Sequence, residues 1–153
     1  MSTPTKEQVD RFVAHVAATR GPHYDASRRE LHAFAVLSEL GEYLEAIEQG
    51  QPKELVMLEA GDVLFHAVTL LGEESHLLFT PAIPETTAGL LRAADQVKKS
   101  MANGTDPWAV VWWLQKVIGS MGRDDWPEVM ALYERKKEIK RTARELAEWQ
   151  TKP

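Results

Sequence analysis

Four acidic residues carry the most telling chemistry in this chain. From Leu55 to Leu71 the sequence is apolar except for Glu59, Gly61, Asp62, His66 and Thr69. On a helix Glu59 and Asp62 fall about 60° apart, inside the arc shared by Leu55, Val56, Val63 and Leu70. Carboxylates on a face destined for burial bind a cation, pair with Arg or Lys, or stay protonated. An upstream segment supplies a complement. Glu39 and Glu42 have the same spacing, beside a stripe of Leu37, Leu40, Leu44 and Ile47, with Glu45 one step further round. A hairpin of the two helices brings the acidic pairs face to face. Oxygen ligands, no Cys and at most one nearby His favour Mg²⁺ or Mn²⁺ over zinc or copper. An E-x-x-E pair alone is usually a solvated surface; it is Glu59 and Asp62 on an apolar helix that single out this region. His66, one turn after Asp62, reads more readily as a core histidine than as a ligand. A di-iron carboxylate bundle needs two inward E-x-x-H motifs. Here Glu73-x-x-His76 alone matches, past the stop at Gly72.

The elements that must position these acids follow from periodicity and punctuation. Val9, Phe12, Val13 and Val16 recur at helical spacing behind Pro4, which predicts a first helix over about 4–19 with Thr3 before it. Gly21-Pro22 breaks it. Ser27-x-x-Glu30 has the capping-box pattern and opens a second helix that runs to Gly50, with Pro52 beyond. The third helix covers about 53–71 and ends at Gly72. A connector holding Pro81 and Pro84 leads to a fourth helix over about 86–102. Asn103-Gly104 closes that helix, and Asp106 with Pro107 starts a fifth that reaches about Met121. Asp125-x-x-Glu128 repeats the capping logic for a last helix to about Gln150. No alternating pattern bounded by turn residues marks a strand, so the class is all-α.

The chain also resembles itself. Leu37 to Gly72 reads helix, Gly50-Gln51-Pro52, helix, Gly; Leu91 to Gly122 reads helix, Gly104-Thr105-Asp106-Pro107, helix, Gly. Two related hairpins, over about 27–72 and 86–122, predict a four-helix core flanked by the first and last helices, all within one domain over 1–153. Composition agrees: 153 residues with 44% hydrophobic side chains suffice for a packed core and exclude wholesale disorder. A net charge of -5 argues against nucleic acid as a partner. The absence of Cys removes disulfides, thiolate zinc sites and Cys nucleophiles together. The first twenty residues include Lys6, Glu7, Asp10 and Arg11, and no later uncharged apolar run is long enough for a membrane span, so the expectation is a soluble cytoplasmic protein with no membrane partner.

The motif S-E-L-G-E-Y-L-E-A-I at 38–47, then E-A-G-D-V-L-F at 59–65, has sixteen residues between Glu42 and Glu59. It resembles the E-x-x-E...E-x-x-D signature of the MazG-like, all-α nucleoside triphosphate pyrophosphohydrolases. The resemblance implies cleavage of an NTP or dNTP between the α and β phosphates, giving monophosphate and pyrophosphate, with Mg²⁺ held by Glu39, Glu42, Glu59 and Asp62 and Mn²⁺ able to substitute. The repeat is similar to that of the longer, dimeric dUTPase-like members, in which one of two hairpins keeps the acids. The second hairpin here aligns Ala93, Gln96, Leu114 and Val117 with the four acidic positions. The family implies a homodimer or dimer of dimers, and its phage-borne members give a lean to purine dNTPs, dGTP or dATP; a phage-encoded chain would act in the host cytoplasm. Where the family often doubles the first Glu, this chain has Ser38. The general base then moves to Glu42 or Glu45, or is left to water on the metal.

A triphosphate also needs cations to hold the leaving pyrophosphate. Lys98 and Lys99 on the fourth helix offer them, as do Arg135 and Lys136 with Lys137, Lys140 and Arg141 on the last. Trp108 and Trp112 share one face of the fifth helix, where an aromatic can stack on a base or seal a subunit contact. Two other readings keep the helices: a phosphoribosyl-ATP pyrophosphohydrolase, and a non-catalytic helical interaction module whose acids meet a partner.

Overall fold

The computed structural model describes residues 3–81, 85–104 and 108–136, and among these the chain forms six α-helices and two 3₁₀ segments with no strand. In chain order they are α1 (Lys6–Thr19), a 3₁₀ turn (Pro22–Tyr24), α2 (Arg29–Glu48), α3 (Lys53–Leu71), a 3₁₀ segment (Gly72–Phe79), α4 (Thr87–Asn103), α5 (Trp108–Ser120) and α6 over 126–136. The all-α bundle expected from the sequence is the fold observed.

Helix α3 is the axis of the bundle. Val63, Leu64, Ala67 and Val68 on it are fully buried, against Phe12 of α1, Val36 and Tyr43 of α2, Leu114 and Val117 of α5 and Val129 of α6. The α2–α3 pair is the most extensive contact among the described elements, and α4–α5 is the second hairpin. Both follow one plan. Gly50 and Gly104, at φ of 63° and 64°, end the first helix of each hairpin in a left-handed conformation that side chains resist, and Gly72 and Gly122 stand past the second helix at 54° and 65°.

The starts of α1 and α2 differ from expectation, each for its own reason. Thr5, rather than Thr3, caps α1: its Oγ1 accepts from the Gln8 N–H at 3.1 Å while Gln8 Oε1 accepts from the Thr5 N–H at 2.9 Å. Pro4 therefore lies outside the helix, and it is buried. Ser27 does not cap α2, because its backbone N–H and its hydroxyl both donate to Asp25 Oδ1 in a local turn; the helix begins at Arg29 without a side-chain cap. Helix α6 starts after Asp125, whose carbonyl accepts from the Val129 N–H at 3.0 Å and whose carboxylate is held by Arg123 at 2.7 and 2.9 Å. The expected Asp106 and Pro107 cap, Pro84, and the last helix beyond 136 lie outside the described residues. The connector after α3 is more structured than expected. Leu78 enters the core, and Gln115 Nε2 donates to the Leu77 carbonyl at 2.9 Å. Together α3 and this segment, Lys53–Phe79, are long and apolar enough to cross a membrane by length and composition, but 61% of the most apolar window is buried inside the bundle, as in a core helix.

The buried stripe of α2 is rotated from the expected one. His32, Val36, Leu40, Tyr43 and Ala46 face inward, whereas Leu44 and Ile47 are exposed. Tyr43 sets this rotation: its ring is buried, its hydroxyl donates to the Met121 carbonyl at 3.3 Å, and Arg123 donates to that hydroxyl while lying over the ring. On α3, Leu55 is likewise exposed while Val63 and Leu70 are buried.

Helix α6 reaches α3 through the smallest side chain available. A Cβ on Gly61 would fall into the Tyr133 ring, 2.9 Å from Cγ. Glycine costs a helix interior about 1 kcal/mol against alanine, so its presence in α3 is a packing requirement. Gly61→Ala is expected to lose about 1–3 kcal/mol in chemical unfolding, the range for inserting a methyl group where none fits; an unchanged midpoint would mean that α6 is not docked here.

Candidate metal centre

The hairpin brings three of the four predicted acids together. One carboxylate oxygen each from Glu39, Glu42 and Glu59 lie within 4.8 Å of one another, with Glu39 and Glu59 half-buried and Glu42 exposed at the mouth. Asp62, one turn after Glu59, stands beside them, near enough for its charge to act on both Glu39 and Glu59. Its Oδ1 accepts a hydrogen bond from the Tyr133 hydroxyl at 2.9 Å. Glu45 stays outside the cluster and accepts from Gln49 Nε2 at 3.2 Å, and Ser38 is exposed.

Such proximity is costly for the acids. Burial, reinforced by Asp62, by proton sharing with Glu42 and by the charges of Glu42 and Glu59, pushes the Glu39 carboxyl up to about 8. Burial and the charges of Asp62 and Glu42 raise Glu59 as well, opposed by the ammonium of Lys136. Tyr133 is raised first by burial and then by Asp62, so it remains a protonated donor. Glu39 Oε2 and Glu59 Oε2 are shut off from solvent, and neither has a hydrogen-bond partner among the described residues. Buried oxygens in that condition need a proton or a cation. The donor set is all carboxylate, which fits a hard divalent ion such as Mg²⁺ or Mn²⁺. Glu39, Glu42 and Glu59 would hold it, with Asp62 at the side.

His66 takes no part. His32 Nε2 lies 3.1 and 3.0 Å from the carbonyls of Tyr24 and Asp25, so it carries the proton and leaves Nδ1 to accept from His66 Nδ1–H at 2.9 Å. Both rings are buried, and the pair joins α2 to α3.

The other predicted site residues separate into two groups. Lys136 is half-buried on α6, and its charge acts on Glu59; its neighbour Arg135 is exposed. Lys98 and Lys99 bond Asp95 at 3.3 and 2.9 Å, and each lines a hollow whose walls contain none of the four acids. Trp108 and Trp112 are exposed on α5. Lys137, Lys140 and Arg141 fall outside the described residues. Sequence reading missed Tyr133 and Gly61. The available signal was a glycine inside an apolar helix next to an acid, which implies that another element approaches closely at that point. Comparison of the chain with protein-family models, with curated proteins and with solved structures finds no match.

The raised acids set a pH dependence. An unfolded glutamate loses its proton near pH 4.5, whereas Glu39 keeps its proton to about pH 8. Between those values the folded state binds more protons, so metal-free stability falls as pH rises through the window. Thermal melting in EDTA should therefore drop from about pH 5 to about pH 8. Added Mg²⁺ should restore it, most strongly at the alkaline end and with proton release in calorimetry. A melting point that rises with pH in EDTA would contradict this electrostatic picture.

Proposed function

We propose that the protein is a Mg²⁺-dependent nucleoside triphosphate pyrophosphohydrolase that converts a (d)NTP, with purine dNTPs favoured, to the monophosphate and pyrophosphate. The observation that carries this reading is the convergence of Glu39, Glu42 and Glu59 with two buried, unpartnered oxygens, in the order and spacing of the E-x-x-E...E-x-x-D motif. Bound among these acids, Mg²⁺ or Mn²⁺ would supply charge to offset the triphosphate and acidify water.

The chain's own residues divide the remaining work. Glu42 is the exposed member of the cluster, suited to accept the proton of an attacking water, whereas Glu45 is hydrogen-bonded by Gln49. Water attacks the α phosphorus, the bond from that phosphorus to the bridging oxygen breaks, and pyrophosphate leaves with the electron pair. Lys136, beside Glu59, and Arg135 supply positive charge for the leaving group. Tyr133 steadies Asp62 by hydrogen bonding, as outer partners of a ligating carboxylate do.

Incubation with each common NTP and dNTP plus Mg²⁺, with both products identified, tests the reading. Monophosphate and pyrophosphate support it; diphosphate with orthophosphate, or no turnover of any nucleotide, would sink it. Glu59→Gln and Asp62→Asn should each reduce turnover to background with helical circular dichroism intact. Unfolding of both variants would make these acids structural.

Tyr133→Phe separates support from chemistry. It is expected to weaken Mg²⁺ binding by roughly 10–100-fold, the usual effect of removing an outer partner, and to leave the melting point nearly unchanged because the ring packing survives. Unaltered metal affinity would show that the Tyr133 hydroxyl does not organise Asp62.

A further inference from the structure

The second hairpin presents the opposite charge to the first. In the register of the repeat, Ala93 and Gln96 of α4 stand where α2 has Glu39 and Glu42. Both line a hollow of about 420 Å³ on the α4–α5 hairpin, within the size range of small-molecule sites. Lys99, Lys116 and Trp112 complete the walls that matter, and no carboxylate is among the lining residues. The hairpin that lacks the acids thus carries two ammonium groups beside one hollow.

Lys99 is bonded to Asp95 at 2.9 Å, but both groups are largely exposed, and such a pair is weak enough in water to yield to another anion. Lys116 has no ion-pair partner among the described residues. The two tryptophans beside it have divided roles. Trp113 is buried and its Nε1–H donates to the Leu90 carbonyl at 3.1 Å, so it builds the hairpin. Trp112 is 58% exposed at the edge of the hollow, where its ring adds little to the core. A flat aromatic beside two cations and an amide matches a ligand with a planar base at one end and phosphates at the other.

We propose that the α4–α5 hairpin binds a nucleotide directly, without metal, at a site separate from the carboxylate cluster. The base lies against Trp112, with Gln96 available to its polar edge, and the phosphates meet Lys99 and Lys116. The same phosphate chemistry is offered by free pyrophosphate, which lacks the base.

The test is binding to the full chain in EDTA, which disables any metal-dependent nucleotide binding at the carboxylates. Tryptophan fluorescence and calorimetry would follow ATP, dGTP and inorganic pyrophosphate, against wild type, Lys116→Gln, Lys99→Glu/Lys116→Glu, Trp112→Leu and Glu59→Gln, each checked for helical circular dichroism. The expected result is one nucleotide per chain with quenched emission, weakened at least tenfold by the double lysine change and by Trp112→Leu, weakened less by Lys116→Gln, and unchanged in Glu59→Gln. Pyrophosphate should bind at least tenfold more weakly than the nucleotide. No metal-free binding, binding that ignores the lysines, or pyrophosphate binding as tightly as the nucleotide would overturn the proposal. So would sedimentation showing that Trp112→Glu splits a dimer into monomers, because the hollow would then be covered by a second copy. Loss of turnover in Glu59→Gln with metal-free binding retained distinguishes this site from the carboxylate centre, so either can fail alone.

Discussion

Gathering carboxylates on an otherwise apolar hairpin is the constraint around which the molecule is arranged. A buried ionised acid without a partner is among the most unfavourable groups a fold can hold, and here Glu39 and Glu59 each keep one oxygen sealed and without a hydrogen-bond partner among the described residues. Burial and the neighbouring acids push Glu39 up to about 8, which favours a proton there in the absence of a metal. The rest of the neighbourhood moderates the charge without cancelling it. Lys136 opposes the rise at Glu59, and the Tyr133 hydroxyl takes one lone pair of Asp62. A site fully neutralised by arginine would be more stable and would have no use for a cation.

Two structural decisions bring these moderators into place. Gly61 removes the side chain that would keep α6 away from α3, so the Tyr133 ring lies on the backbone and its hydroxyl reaches the acid next in sequence. Arg123 ties the turn before α6 to Tyr43, which follows Glu42 in α2. The acidic hairpin and its supporting helix are therefore locked from two directions. The His32–His66 pair fastens the same two helices on buried rings, away from the cluster.

The long elements were legible in the sequence because their signals are collective. The run from Lys53 to Leu71 is apolar over most of its length, as a core helix requires, and the glycines at 50, 72, 104 and 122 mark ends at positive φ. Helix starts were less legible, since a cap is one hydrogen bond: Ser27 has the right type and place, yet Asp25 engages it first. The α2 stripe was misplaced for a related reason. Leu44 and Ile47 outrank His32 and Tyr43 in hydrophobicity, but the latter pair bury their polar tips against His66 and the Met121 carbonyl, and such pairing is invisible to hydropathy. The acidic cluster was readable from spacing alone. Tyr133 was not, because its partner lies seventy-one positions away and only packing joins them.

On the proposed reading, the two hairpins would let an acidic chain address phosphates in two ways. A hairpin needs its core stripe and its turn glycines to fold, and these are the features the two halves share; the outward positions are free to vary. The first half has the half-buried Glu39 and Glu59 with the exposed Glu42, which would meet a triphosphate only through a divalent cation. In the second, Ala93 and Gln96 remove that requirement, and Lys99 and Lys116 leave a local positive field on a molecule of net charge -5. Attraction over a few ångströms is set by the nearest groups rather than by the net charge, because salt screens the remainder within about 10 Å. On the proposed reading, one scaffold would hold a metal-dependent centre on one hairpin and a metal-free anion site on the other, since the hollow lined by Lys99 and Lys116 has none of the clustered acids in its walls.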